Sequence, residues 1–154
     1  MTTAVTPNTP SHNGLGPLAS RFVDPNMLPW QSTRFDGIEV KPLLFDPASG
    51  LATALMRMAP GSVLPDHEHV LIEQTWVLEG HLVDCEGPDL GIECKAGQFI
   101  WRPSGSRHAA SSPNGCVTLA MFQIPNRFYD ASGGSTDMSG ADWHSLWGQA
   151  PGAP

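Results

Sequence analysis

The stretch Gly61-Ser-Val-Leu-Pro-Asp-His67-Glu-His69-Val-Leu-Ile-Glu73-Gln-Thr-Trp-Val-Leu-Glu-Gly80 decides how this chain is read. In an extended strand, side chains two apart share a face, so His67 and His69 point the same way and Glu68 between them points to the other side. Glu73 has the same parity as the histidines and brings a carboxylate to their face after a short break. Imidazole is a common ligand for Zn, Fe, Ni and Cu, so these groups are candidate ligands for one ion. Taken alone, an H-x-H pair is equally a pair of core or surface histidines. A later stretch, Gly97-Gln-Phe-Ile-Trp-Arg-Pro103-Ser-Gly105-Ser-Arg-His108, runs a strand into a Pro-x-Gly turn that delivers His108 inward as a further imidazole.

The surrounding chain favours short strands. Its 154 residues suit one domain, and 16 Gly with 15 Pro disfavour long helices. Turn signals recur about every ten residues from Asp36-Gly37 to Pro113-Asn114-Gly115. Between them the expected strands are Ile38–Phe45, Ala52–Met58, Thr75–Leu78, Phe99–Arg102 and Val117–Ile124, an all-β sandwich or barrel. Glu79-Gly80 reads as one of the turns. Residues 1–22 read as a flexible N-terminal arm, 23–130 as the barrel, and 131–154 as a linker with a short C-terminal helix. That helix follows the Ser139-x-x-Asp142 form of a capping box and sets Trp143, Leu146 and Trp147 on one face before Gly148.

Charge and cysteine content exclude several classes. A formal net charge of −7 repels nucleic acid and anionic membranes. No apolar run approaches the ~18 residues of a membrane span, and the N-terminus lacks the basic and apolar regions of a secretory signal. Cys85, Cys94 and Cys116 are an odd set without C-x-x-C spacing, which points to free thiols in a reducing, cytoplasmic setting.

Together the two histidine stretches resemble the two-part motif of the cupin superfamily, G-x5-H-x-H-x3-E-x6-G and G-x5-P-x-G-x2-H-x3-N. Gly61, His67, His69, Glu73 and Gly80 fill the first part, and Gly97, Pro103, Gly105 and His108 the second. Ser112 stands where the pattern ends in Asn. The resemblance covers roughly residues 37–125 and implies a single-domain antiparallel jelly-roll barrel. It also implies His67, His69, Glu73 and His108 as ligands of one divalent metal per chain, with Fe(II) favoured, Zn(II) next, and Mn or Ni as further options. Within the superfamily the chain looks most like the cupin domain of zinc-binding anti-sigma factors and like small cupin dioxygenases. The expected partners are a small-molecule substrate and a second copy in a homodimer, with no organic cofactor, nucleic acid or membrane.

Two functions follow from the resemblance. One is a mononuclear Fe(II) dioxygenase acting on a small oxygenated molecule, with Glu73 as ligand and general base. The relatives that oxidise diketones and thiols generally use three histidines without the glutamate, so Glu73 fits flavonol-type or other four-ligand cupins better. The alternative is a zinc-binding sensing module without turnover; a metal-free sugar epimerase would not need four ligands. Met56, Trp76, Phe99, Trp101 and Phe122 are the expected walls of a substrate pocket. An inward arginine among Arg57, Arg102 and Arg107 would select an acidic substrate. His12, His81 and His144 have no matching partners and are expected at the surface.

Overall fold

A computed structural model describes residues 3–148. Eleven strands follow one another in the order β1 (Gln31–Ser32), β2 (Ile38–Asp46), β3 (Leu51–Met58), β4 (Ser62–Glu68), β5 (Glu73–Glu86), β6 (Glu93–Lys95), β7 (Phe99–Arg102), β8 (Arg107–Ser112), β9 (Cys116–Gln123), β10 (Arg127–Tyr129) and β11 (Ser135–Thr136). One helix, α1 (Trp143–Trp147), closes the described chain. All ladders are antiparallel, and the curled sheet has two layers. One runs β1-β2-β3-β9-β5-β7 and the other β6-β5-β8-β4-β10-β11, with β5 shared between them. This is the jelly-roll architecture.

The shared strand explains a difference from the sequence reading. Glu79-Gly80, expected as a turn, lies inside β5, where pairing with β9 shifts between Val77 and Glu79. The extra residue is a β-bulge, and Gly80 takes φ 68° there. A Cβ at Gly80 would lie 2.0 Å from the carbonyl oxygen of Gly115, so no larger residue fits. Up to Gly80 β5 pairs with β9, and up to Trp76 also with β7; from His81 on it pairs with β6 and then β8. The bulge also exchanges the inward parity: Thr75 and Val77 are buried before it, Leu82 and Asp84 after it.

The core between the layers is built from Ile38, Met58, Leu64, Val77, Leu82, Cys94, Cys116 and Phe128. Burying a side chain such as Ile38 or Val77 stabilises the fold by about 1.5–3 kcal/mol. A second cluster joins Val70 and Ile124 to Trp143, which is fully buried and donates from Nε1 to the carbonyl of Pro125 at 3.2 Å. The helix therefore packs on its own barrel. Its N-cap is Asp142, whose carboxylate accepts from the Ser145 amide at 2.7 Å, whereas Ser139 turns back to the Asp137 carboxylate. The expected capping box thus starts three residues late. Leu146 is half exposed, and the expected tail beyond Gly148 lies outside the described residues.

The segment read as an arm carries a single bridge, in which Val5 and Phe45 exchange two backbone bonds at 2.8 Å. Leu18 and Phe22 in the same segment are exposed. Among the described residues no helix is long and apolar enough to cross a membrane.

The bulge gives a direct test. Gly80→Ala adds a steric clash to an unfavourable φ and is expected to destabilise the protein by about 3 kcal/mol or more in urea unfolding. Gly97→Ala, at φ 84° with open space around it, is expected to cost only ~1–2 kcal/mol. Equal midpoints for the two variants would show that β5 does not need its bulge.

Candidate metal centre

The register of β4 against β8 assembles the centre. His67 stands directly opposite His108, after an irregularity between Leu64 and His67 that turns His67 inward. His69 lies just past the end of β4, where its amide donates to Ser106 and its carbonyl accepts from Gly105. The Pro103–Ser106 turn is closed by the Ser106 amide on the Pro103 carbonyl, as the Pro-x-Gly spacing predicts. The three rings converge with centroid separations of 4.6 Å for His67 to His108, 4.9 Å for His67 to His69 and 5.1 Å for His69 to His108. One ligand nitrogen from each lies within 4.8 Å of the others. All three residues are buried.

Hydrogen bonds fix two of the rings. Nδ1 of His67 donates to the Pro65 carbonyl at 2.8 Å, and Nδ1 of His108 donates to the Asp84 carboxylate at 3.0 Å. A carbonyl and an ionised carboxylate only accept, so each ring carries its proton on Nδ1 and keeps an Nε2 lone pair. Neither nitrogen of His69 makes a hydrogen bond, although the residue is only 1% exposed. Two unsatisfied buried nitrogens cost about 1–3 kcal/mol each, and coordination would satisfy one of them. The donor set therefore fits a first-row divalent ion: His67, His69 and His108 would hold it.

Glu73 stands beside this cluster rather than within it. Its Oε2 is 3.1 Å from Nδ1 of His69 and accepts from Asn126 Nδ2 at 3.0 Å. Its Oε1 accepts from the Thr75 hydroxyl at 3.1 Å. Burial opposes the charged form, but His69, His67 and Asn126 outweigh it and hold the carboxyl below the ordinary range. Burial drives His67 the other way, reinforced by the neighbouring His69 and His108, down to about 3.

The sequence missed Asp84 and Asn126. Asp84 is buried and accepts from both Arg102 guanidinium nitrogens, at 2.9 and 2.8 Å, as well as from His108. Although burial resists it, His108 and Arg102 keep its carboxyl below the usual value. Parity counted from Glu73 points Asp84 outward, and only the bulge at Gly80 turns it in. Arg102 does face inward, but it is committed to Asp84 rather than free to read an acid. Arg57 pairs with Glu39 at 2.6 Å and Arg107 with Asp66, while Glu68, on the other side of β4, accepts from Tyr129. His12, His81 and His144 take no part in the cluster.

The expected pocket walls divide by the same rule. Met56 and Phe122 line a cavity of about 90 Å³ that reaches His67, His108 and Glu73. Trp76, Phe99 and Trp101 do not: they are 48%, 46% and 58% exposed on the outer face. In β5 and β7 the inward positions are Glu73, Thr75, Ile100 and Arg102, and these aromatics alternate with them.

A three-histidine cluster inside an antiparallel jelly roll is the arrangement of a cupin. Residues 19–126 match the family model described as the ChrR cupin-like domain, and the chain belongs to that family. Several solved structures share the fold. An acetylacetone dioxygenase from Acinetobacter johnsonii is 22% identical, with a TM-score of 0.67 over 84% of this chain and 90% of that one. The polyketide cyclase RemF from Streptomyces resistomycificus is 19% identical, with a TM-score of 0.61 over 70% and 82% of the two chains. An RmlC-like cupin from Shewanella frigidimarina is 18% identical, with a TM-score of 0.59 over 68% and 91%. No curated protein matches the sequence.

The depressed His67 predicts a pH dependence in the chelator-treated protein. Below 6.5 the unfolded chain takes up a proton at His67 that the folded protein refuses until about 3. Stability is therefore full above pH 6.5 and falls as the pH drops, before Glu73 contributes a loss below its unfolded 4.5. Urea midpoints are expected to fall between about pH 7 and 5, and to fall less in His67→Gln. Parallel profiles for the two proteins would contradict the buried, neutral His67.

Proposed function

We propose that this protein is a mononuclear Fe(II) dioxygenase acting on a small oxygenated organic molecule. The observation that carries the reading is a three-histidine cluster that meets, through His67 and His108, a cavity with otherwise mainly apolar walls. A structural zinc site closes its shell with four protein ligands, whereas here the ligand side faces free space. At about 90 Å³ the cavity favours a compact substrate over one the size of a flavonol. The Acinetobacter structure is of an enzyme named for such a compact molecule, acetylacetone, and this supports small dicarbonyl compounds as the substrate class.

Iron, when bound, supplies the one-electron chemistry that dioxygen requires. The chain's own residues do the rest. Asp84 holds the His108 proton at Nδ1 and so orients its Nε2, while Arg102 neutralises Asp84 in the interior. Asn126 and Thr75 hold the Glu73 carboxylate at the cavity wall. There it is placed to complete the ligand set or to take a proton from bound substrate.

A second reading, a zinc-binding sensing module without turnover, is favoured by the family match to the ChrR cupin-like domain. We place the protein in the cytoplasm as a homodimer. Its three free cysteines support a reducing compartment, and the exposed Trp76, Phe99 and Trp101 beside the edge strand β7 support pairing of two copies.

Oxygen consumption separates the readings. Protein loaded anaerobically with Fe(II) is expected to take up oxygen when given pentane-2,4-dione, and His69→Ala and His108→Ala are expected to lose both iron and uptake. Zinc-loaded protein is expected to be silent. A wild-type protein that holds zinc tightly, refuses iron and consumes no oxygen with small dicarbonyls would support the sensing module.

A further inference from the structure

A second, outer cavity of about 430 Å³ lies between β2, β3 and the residues after β11, and shares Val40, Ala54, Phe122, Pro125 and Met138 with the inner one. These five residues line both cavities, where the two adjoin. Four of them belong to the barrel wall or the chain leaving β9. Met138 alone comes from the C-terminal segment, and its long unbranched side chain packs against the main core.

The backbone that carries Met138 is held firmly. The Gly140 amide donates to the Asp137 carbonyl at 3.0 Å, closing a turn. Oδ1 of the buried Asp137 accepts from the Ser139 amide at 2.8 Å and the Ser139 hydroxyl at 2.5 Å. Its Oδ2 accepts from Trp147 Nε1 at 3.3 Å, and Arg34 donates to its carbonyl at 3.1 Å. A fixed turn thus presents one flexible apolar side chain where the two cavities adjoin.

We propose that Met138 is a specificity-determining residue: it sets the width of the throat through which a ligand reaches the histidine cluster, and the ligand crosses that throat uncharged. Among the described residues lining the outer cavity, Asp137 is the one charged side chain, and both of its carboxylate oxygens are engaged. In the inner cavity the one cation-bearing side chain besides histidine, Arg102, is neutralised by Asp84. A carboxylate entering this path would lose its hydration with no unpaired cation to replace it. A neutral ketone would not. The proposal extends the reading of the inner cavity as the substrate site and does not depend on which metal occupies it.

The test uses metal-free protein labelled with 13C at the methionine methyl groups, so that its failure is distinct from failure of the iron reading. Met138 reports from the throat and Met56 from the inner cavity. Butan-2-one is expected to shift both signals, and butanoate neither. Met138→Trp is expected to lower the rate of butan-2-one exchange at the Met56 signal, read from its line shape, about tenfold or more. Met138→Leu, similar in volume, is expected to keep it. Val40→Phe narrows the same throat from the opposite wall, so the test stands even where Met138→Trp fails to fold. An unchanged exchange rate at Met56 in the folded narrowing variants would overturn Met138 as the gate. Equal responses to ketone and carboxylate would overturn the selection for uncharged ligands.

Discussion

The pairing of His67 with His108 across β4 and β8 is the constraint on which the site depends. It places two imidazoles from distant parts of the chain on one inner face. The Pro103–Ser106 turn then locks His69 beside them through two backbone bonds. A one-residue slip of this register would send one of the two rings to the opposite face and leave no centre. The irregularity between Leu64 and His67 is part of the same constraint, since it sets the histidine's phase apart from that of the core residue Leu64. Function here rests on strand phase more than on any single contact.

The buried Asp84–Arg102 pair extends that logic beyond the ligands. Two charges in a barrel interior are costly unless their hydrogen bonds are satisfied, and here each guanidinium nitrogen meets its own carboxylate oxygen. One of those oxygens also receives the His108 proton. Removing Arg102 would therefore free Asp84 to act as a base toward His108, and removing Asp84 would leave a buried cation beside the cluster. The pair tunes the site without touching the position an ion would take.

Much of this was legible from residue spacing. The strands over β2, β3, β7 and β9 fall within one residue of their expected limits, because turn residues bound them sharply. The three histidines were legible for the same reason, their places being set by a strand and a short turn. Bulges hid the rest. Gly80 looks like a turn residue in a linear reading, yet it continues β5 and inverts the phase that brings Asp84 inward. Trp76, Phe99 and Trp101 attract attention as aromatics, but alternation with Thr75, Ile100 and Arg102 puts them outside. Asn126 follows Ile124, a β-branched residue at φ 64°, and no spacing rule anticipates where such a backbone leads. Glu73 has the expected parity, but its partners Asn126 and Thr75 draw it to the edge of the cluster.

The central claim is that His67, His69 and His108 together hold one metal ion beside an apolar cavity. X-ray absorption at the metal edge of the loaded protein addresses it most directly. The account predicts a first shell of nitrogen and oxygen donors at ~2.0–2.2 Å, with the outer-shell scattering of three imidazoles. A sulfur scatterer at ~2.3 Å from one of the cysteines, or a shell with one imidazole or none, would contradict it.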